Sequence, residues 1–231
     1  MENLTLIIPA KNEKESLPSV LNELKKFDLK ILVVLEKSDK ETIESIKDFN
    51  CEILYQNNKG YGDALIHGIN NTKTKYFCIF NADGSFIPEE LKEMNKLLEN
   101  NIADFVFGSR YMKDASSEDD TLITYVGNKI FSFLGNVFFS LKISDILYTY
   151  VMGNTNLAKS LNLKEKKFSL CIELPIKAKR SGLKIISFAC HERQRIAGKK
   201  KVNAFIDGSL ILIEMLKLFF YFKIFRNKVI D

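Results

Sequence analysis

The apolar positions of the first hundred residues switch period repeatedly. Leu4-Thr5-Leu6-Ile7-Ile8, closed by Pro9, is a short apolar run of the kind a buried strand needs. Leu17, Val20, Leu21 and Leu24 then recur at three- and four-residue spacing, which predicts a helix over 16–27. The same alternation continues with strands over 31–35, 52–55, 76–80 and 104–108, and helices over 41–49, 63–70 and 88–99, the last opened by Pro88. Strands alternating with helices predict an α/β fold with a mostly parallel central sheet covered on both faces. Ligands of such sheets bind beyond the C-terminal strand ends.

The second half of the chain has another character. Residues 116–121 form a polar, acidic loop, and 125–141 a phenylalanine-rich helix pattern. Ser132, Asn136 and Ser140 fall four apart and make one narrow polar stripe, with Lys129 beside it. The remaining positions, including Phe131, Phe133, Leu134, Val137 and Phe138, make an apolar face broad enough to require burial in protein or in lipid. A helix over 168–181, a strand over 184–188 and a basic loop over 193–201 follow. Residues 205–225 read as a long apolar helix ending in basic residues, Arg226 and Lys228. The pattern predicts one domain over 1–231, with an α/β half at 1–111, a second half at 112–204 and an apolar terminal helix at 205–231.

Composition narrows the classes. The chain has 231 residues, 46% hydrophobic and 27% charged, enough for an ordinary core. Its 34 basic and 29 acidic residues leave a net charge of +5, too mild a bias to argue for nucleic acid. Cys51, Cys78, Cys171 and Cys190 form no CxxC pair, which disfavours zinc and a disulfide framework and suits a cytoplasmic protein. No run reaches the ~18 uninterrupted apolar residues of a spanning helix. The nearest, 210–225, is broken by Glu214, Lys217 and Lys223.

The candidate chemistry sits at the strand ends. These carry Pro9-Ala10-Lys11-Asn12-Glu13, then Glu36 and Asp39, then Lys59-Gly60-Tyr61-Gly62-Asp63, then Asn81-Ala82-Asp83-Gly84-Ser85, then Ser109-Arg110. Asp83, following a buried strand, is a hard oxygen ligand suited to Mg²⁺ or Mn²⁺, or else a turn aspartate. Gly60 and Gly62 would let backbone approach a ligand, or simply make a turn. His67 and His191 read as structural, and no Gly-x-Gly-x-x-Gly follows the first strand, where a dinucleotide fold needs it.

Together with Asp104-Phe-Val-Phe-Gly-Ser-Arg110 and the stretch 173–184, these motifs, in this order and over residues 3–215, resemble family 2 glycosyltransferases, in particular the dolichyl-phosphate mannose or glucose synthase branch. The resemblance implies a GT-A-like, Rossmann-type fold, with a nucleotide-sugar-binding half, an acceptor-side half and an apolar C-terminal helix. It implies that Pro9, Ala10, Asn12 and Glu13 border the nucleotide, with Lys59 and Gly60 nearby. Glu36 stands where the family has the second aspartate of a pair that holds the base, and Leu35 replaces the first. Asn81, Ala82, Asp83 and Ser85 match the Asp-x-Asp metal and diphosphate motif, with asparagine in place of its first aspartate. Arg110 matches an arginine facing the acceptor, and Asp145 an active-site aspartate. Arg195, Lys199 and Lys201 match a basic loop that closes on the diphosphate.

The reaction so implied is an inverting displacement that moves a sugar from a UDP- or GDP-linked nucleoside diphosphate sugar to a polyprenyl phosphate, with a divalent cation at Asp83 assisting departure of the diphosphate. A phosphate dianion needs no general base, whereas a saccharide hydroxyl would need one, and Asp145 is the candidate. Arg110 would grip the acceptor phosphate. The two apolar helices predict peripheral attachment to the cytoplasmic face of a membrane. Packing on the sheet or in a homodimer interface is their alternative use, and a catalytically silent nucleotide-sugar-binding relative is the alternative to an enzyme.

Overall fold

The computed structural model describes residues 1–198 and 204–224. In chain order the elements are β1 (Leu4–Pro9), α1 (Leu17–Leu24), β2 (Lys30–Leu35), α2 (Lys40–Ser45), β3 (Glu52–Tyr55), α3 (Tyr61–Asn71), β4 (Tyr76–Ile79), α4 (Glu90–Glu99) and β5 (Phe105–Ser109). Then come β6 (Ser116–Ser117), α5 (Leu122–Phe139), β7 (Val151–Asn154), α6 (Thr155–Ser160), α7 (Leu170–Arg180), β8 (Ile185–Ala189), β9 (His191–Glu192) and α8 (Ala204–Ile224). One seven-stranded sheet runs β3-β2-β1-β4-β7-β5-β8, and β6 pairs with β9 in a two-stranded ribbon.

The sheet is parallel except for β7, which pairs antiparallel with both β4 and β5. Residues 151–154 show no strand signal in the sequence. The segment is short and contains Gly153, a residue that weakens strands. Here glycine is required because a Cβ would drive into the Phe105 ring.

Alternation along the strands divides the core. Leu4, Leu6 and Ile8 of β1 pack under α1, α2 and α4, while Ile7 faces α3 and the layer built by α7 and α8. The chain lays β2 and β3 on one side of β1 and β4 on the other. The loops after β1 and β4 therefore diverge, and that divergence opens the crevice where α/β sheets bind ligands.

α5 turns its two stripes in opposite directions. A Thr121–Thr124 capping box starts it, four residues before the predicted edge, and Ser140 ends it in a left-handed conformation with φ 55°. Its polar stripe points inward. Ser132 Oγ accepts the Ile146 amide at 3.0 Å, and the Asn136 side chain both accepts from Ile143 N (3.0 Å) and donates to Ile143 O (2.9 Å). Leu122, Val126, Ile130, Phe133 and Val137 form an exposed apolar stripe. α8 packs beside α5 through Phe138 and Phe219, whose rings lie 4.8 Å apart, and exposes Ile213, Leu216, Phe220 and Ile224. Among the described residues α5 is the one helix long and apolar enough to cross a membrane by length and composition, although Asn128 and Lys129 interrupt its apolar run.

Candidate active site

The crevice is floored by the loops after β1 and β4. Beyond β1, Ala10 N donates to Val34 O at 2.9 Å, and Asn12 takes a left-handed φ of 52°. Asp39, the N-cap of α2, accepts from Asn12 N at 2.7 Å and from Thr42 N at 3.3 Å. Glu13 N donates to Thr42 Oγ1 (3.0 Å), and Glu13 Oε2 accepts from Ser16 Oγ (2.6 Å). Lys11 pairs with Glu36 at 3.1 Å. Pro9, Ala10, Asn12, Glu13 and Glu36 thus form one rigid wall, tied to α2 rather than left as a loose loop.

Beyond β4, Asn81 and Asp83 are half-buried and Ala82 is buried. Gly84 adopts φ +82°, which turns the chain directly after Asp83. Asp83 Oδ1 accepts from Ser85 N (3.0 Å) and Ser85 Oγ (2.7 Å), which fixes the carboxylate's rotation. Arg195 Nη1 lies 3.5 Å from Asp83 Oδ2, and Arg195 Nη2 lies 2.7 Å from Asp119 Oδ2. Partial burial works against the Arg195 charge, but the hydrogen bond to Asp119 and the Asp83 charge more than offset it and hold its pKa above the ordinary value. Lys199 and Lys201, expected in the same basic loop, lie outside the described residues.

Arg110 and Asp145 take a different place from the one expected. Arg110 Nε and Nη2 donate to Asp145 Oδ2 and Oδ1 at 2.7 and 3.0 Å, and its Nη1 reaches Glu192 Oε2 at 3.2 Å. The Arg110 side chain is 8% exposed and that of Asp145 0%. Its guanidinium also lies 4.6 Å from the centre of the Tyr148 ring. Three of the five guanidinium N–H donors are spent on these two carboxylates, and the Asp145 carboxylate is enclosed by them. The two residues and Glu192 form one buried ion-paired cluster. Burial raises the Glu192 carboxyl above its ordinary pKa, against the opposing pull of Arg110.

Gly60, at φ +127°, and Gly62 lie against the backbone of residues 165–167, and a Cβ on either would overlap a carbonyl oxygen there. The close approach is to the protein's own chain, with Lys59 exposed at its margin. Tyr61, next in sequence, brings its phenol within electrostatic reach of Asp83. Gly62→Ala should lower stability by about 1–3 kcal/mol, read as a shift in the urea midpoint at unchanged slope. A change within experimental error would refute the packing account.

Sequence reading missed Asp119, Glu192 and Glu23. Glu23 accepts two hydrogen bonds from Arg193, at 2.9 and 3.0 Å. The acidic run Glu118-Asp119-Asp120 was the available signal for Asp119, since an acidic loop opposite a basic one invites pairing. Glu192 gave none, because its partners Arg110 and Ser117 are remote in sequence.

The β1 and β4 loops stand side by side at the switch point of the sheet, and the profile of the family described as glycosyl transferase family 2 matches residues 5–161. The chain belongs to glycosyl transferase family 2. An uncharacterized glycosyltransferase of Mycobacterium tuberculosis is 26% identical over 210 residues, covering 91% of this chain and 94% of that protein. The UDP-N-acetylglucosamine–dolichyl-phosphate N-acetylglucosaminyltransferase of Methanococcus voltae is 24% identical over 204 residues, 78% of this chain and 81% of that one. Among solved structures, the Mycobacterium tuberculosis glucosyl-3-phosphoglycerate synthase, in complex with Mn²⁺, UDP and glucosyl-3-phosphoglycerate, superposes with a TM-score of 0.74 at 13% identity. It covers 93% of this chain and 79% of that one. This family 2 chain therefore has a GT-A-like fold and is a glycosyltransferase that uses a nucleotide sugar.

Proposed function

We propose that the enzyme transfers a sugar from a UDP- or GDP-linked donor to a polyprenyl phosphate, with inversion, at the cytoplasmic face of a membrane, in the manner of the dolichyl-phosphate branch of the family. One observation carries the acceptor. The exposed apolar stripe of α5 starts at Leu122, three residues past Asp119, and Asp119 holds the arginine that faces Asp83. A lipid phosphate could set its headgroup in the crevice while its chain follows α5. The burial of Asp145 supports the same reading, because a hydroxyl acceptor would lack its candidate base whereas a phosphate with a second pKa of about 6 carries its own charge. Relatives named for dolichyl phosphate point the same way, including the Dictyostelium discoideum dolichyl-phosphate beta-glucosyltransferase, 31% identical over 132 residues, or 46% of this chain and 39% of that one.

The residues at the crevice fit a divalent cation. Asp83, with Asn81 and Ser85 beside it, offers hard oxygen donors. Among the described residues no group of three or more His, Cys, Asp or Glu could hold a metal unaided. That suits an ion completed by substrate phosphates. Bound there, Mg²⁺ or Mn²⁺ would neutralise charge on the leaving diphosphate. The wall at 9–13 orients the nucleotide, and Arg195 offers its charge to the diphosphate oxygens.

The test is transfer of labelled sugar from a panel of UDP- and GDP-sugars to polyprenyl phosphate in anionic vesicles, alongside a flotation assay. The wild type is expected to float and to label the lipid. Phe133→Glu combined with Ile130→Glu should reduce the floated fraction by about tenfold, since charged residues are costly in hydrocarbon, while melting as the wild type does. A protein that stays soluble with these vesicles and labels only saccharide hydroxyls would refute the proposal.

A further inference from the structure

We infer that Arg195 and the divalent cation are alternative occupants of Asp83, exchanged when the diphosphate arrives. The inference rests on the reading of Asp83 as a cation ligand and adds to it a competitor built into the chain.

The Asp83 carboxylate is already oriented by Ser85, whose two hydrogen bonds both go to Oδ1. Oδ2 takes neither of those bonds, and it meets Arg195 Nη1 at 3.5 Å. That separation marks a charge contact rather than a well-made hydrogen bond. The guanidinium is held elsewhere, by Asp119, at 2.7 Å from Nη2 and 3.4 Å from Nε. Arg195 is therefore tethered to Asp119 and leans on Asp83.

The backbone keeps it there. Residues 193–198 form a strap seated on the Asp83 turn through Ile196 N to Asp83 O and Arg193 N to Ser85 O, both 2.8 Å. The Ile196 side chain lies on Gly84, where a Cβ would collide with it. Arg193 anchors the near end of the strap by its paired bonds to Glu23 and a third to Phe86 O at 2.8 Å. With its position set from both sides, the Arg195 guanidinium cannot simply drift away from an arriving ion.

A monovalent guanidinium and a divalent ion on one carboxylate oxygen repel each other strongly in a partly buried site. Without an anion, Arg195 must therefore weaken cation binding. A nucleoside diphosphate reverses the sign, because Arg195 can then turn about its Asp119 tether to pair with phosphate oxygens and leave Oδ2 to the ion. The exchange makes cation and diphosphate bind together better than either binds alone.

Free Mn²⁺ measured by electron paramagnetic resonance tests this, with UDP and GDP in turn as the nucleotide. Arg195→Gln is expected to bind Mn²⁺ about five- to tenfold more tightly than wild type without nucleotide, and more weakly than wild type with saturating nucleotide. Ile196→Ala keeps the charge but loosens the seat on Gly84, and should strengthen nucleotide-free binding by a smaller factor. Circular dichroism checks that both variants fold. If Asp83→Asn abolishes Mn²⁺ binding but neither variant tightens it without nucleotide, the exchange is refuted and Asp83 remains the cation ligand. If no protein shows Mn²⁺ binding sensitive to Asp83→Asn, with or without nucleotide, both readings fall.

Discussion

Asp83→Asn should fold normally and lose about a hundred- to a thousandfold in sugar transfer, the scale set by removing a group that stabilises charge in the transition state. The substitution is nearly isosteric. Its amide oxygen can still accept the two Ser85 bonds that fix the turn, so the melting temperature should stay close to that of the wild type. What disappears is the carboxylate's negative charge, and with Asn81 two residues earlier no other carboxylate in the turn replaces it. Steady-state kinetics with the productive donor, a thermal melt and nucleotide binding by calorimetry separate the effects. A variant that retains a tenth or more of wild-type turnover would remove Asp83 from the centre of the mechanism.

Arg110→Ala is expected to be the most destabilising single change in the protein. It strands the buried Asp145 carboxylate and deprives Glu192 of its cation, a loss of the kind that costs about 3–5 kcal/mol. At roughly 2–4 °C per kcal/mol for a chain of this size, the melting temperature should fall by about 10 °C. Arg110→Lys should recover little, because one ammonium cannot span both Asp145 oxygens and Glu192 together. Pairing Arg110→Met with Asp145→Leu should recover more, since no unpaired charge is left behind. A single variant that melts within about 2 °C of wild type, less than 1 kcal/mol at this size, would show that the triad contributes nothing net.

Much of the donor side was legible from residue order. The short apolar strands and helical spacings in the first hundred residues are local signals, and β1 to β5 fall close to where the pattern puts them. Asp83 stands out in the sequence for a related reason: it follows a buried strand, at the end where ligands of such sheets bind. What was hidden is long-range. Arg110, Asp145 and Glu192 meet across 35 and 82 residues of sequence, so an arginine and an aspartate that look available for substrate spend their donors and acceptors on each other. The packing partner of Gly60 and Gly62 was hidden for the same cause, since the backbone they approach lies about a hundred residues downstream. The stripes of α5 were visible but their direction was not: periodicity tells how a helix divides, and only the partner segment at 143–146 tells which side turns inward.

β7 has a further consequence for biogenesis. β4 and β5 are made one after the other yet never bond to each other, because β7 is threaded between them in the opposite direction. While the nascent chain extends from β5 to residue 151, both strands carry unsatisfied edges facing an empty slot, a template for pairing with neighbouring molecules. The first 111 residues therefore cannot close their own sheet, and the donor platform becomes a finished object only after the ribosome has delivered the segment that sews it shut.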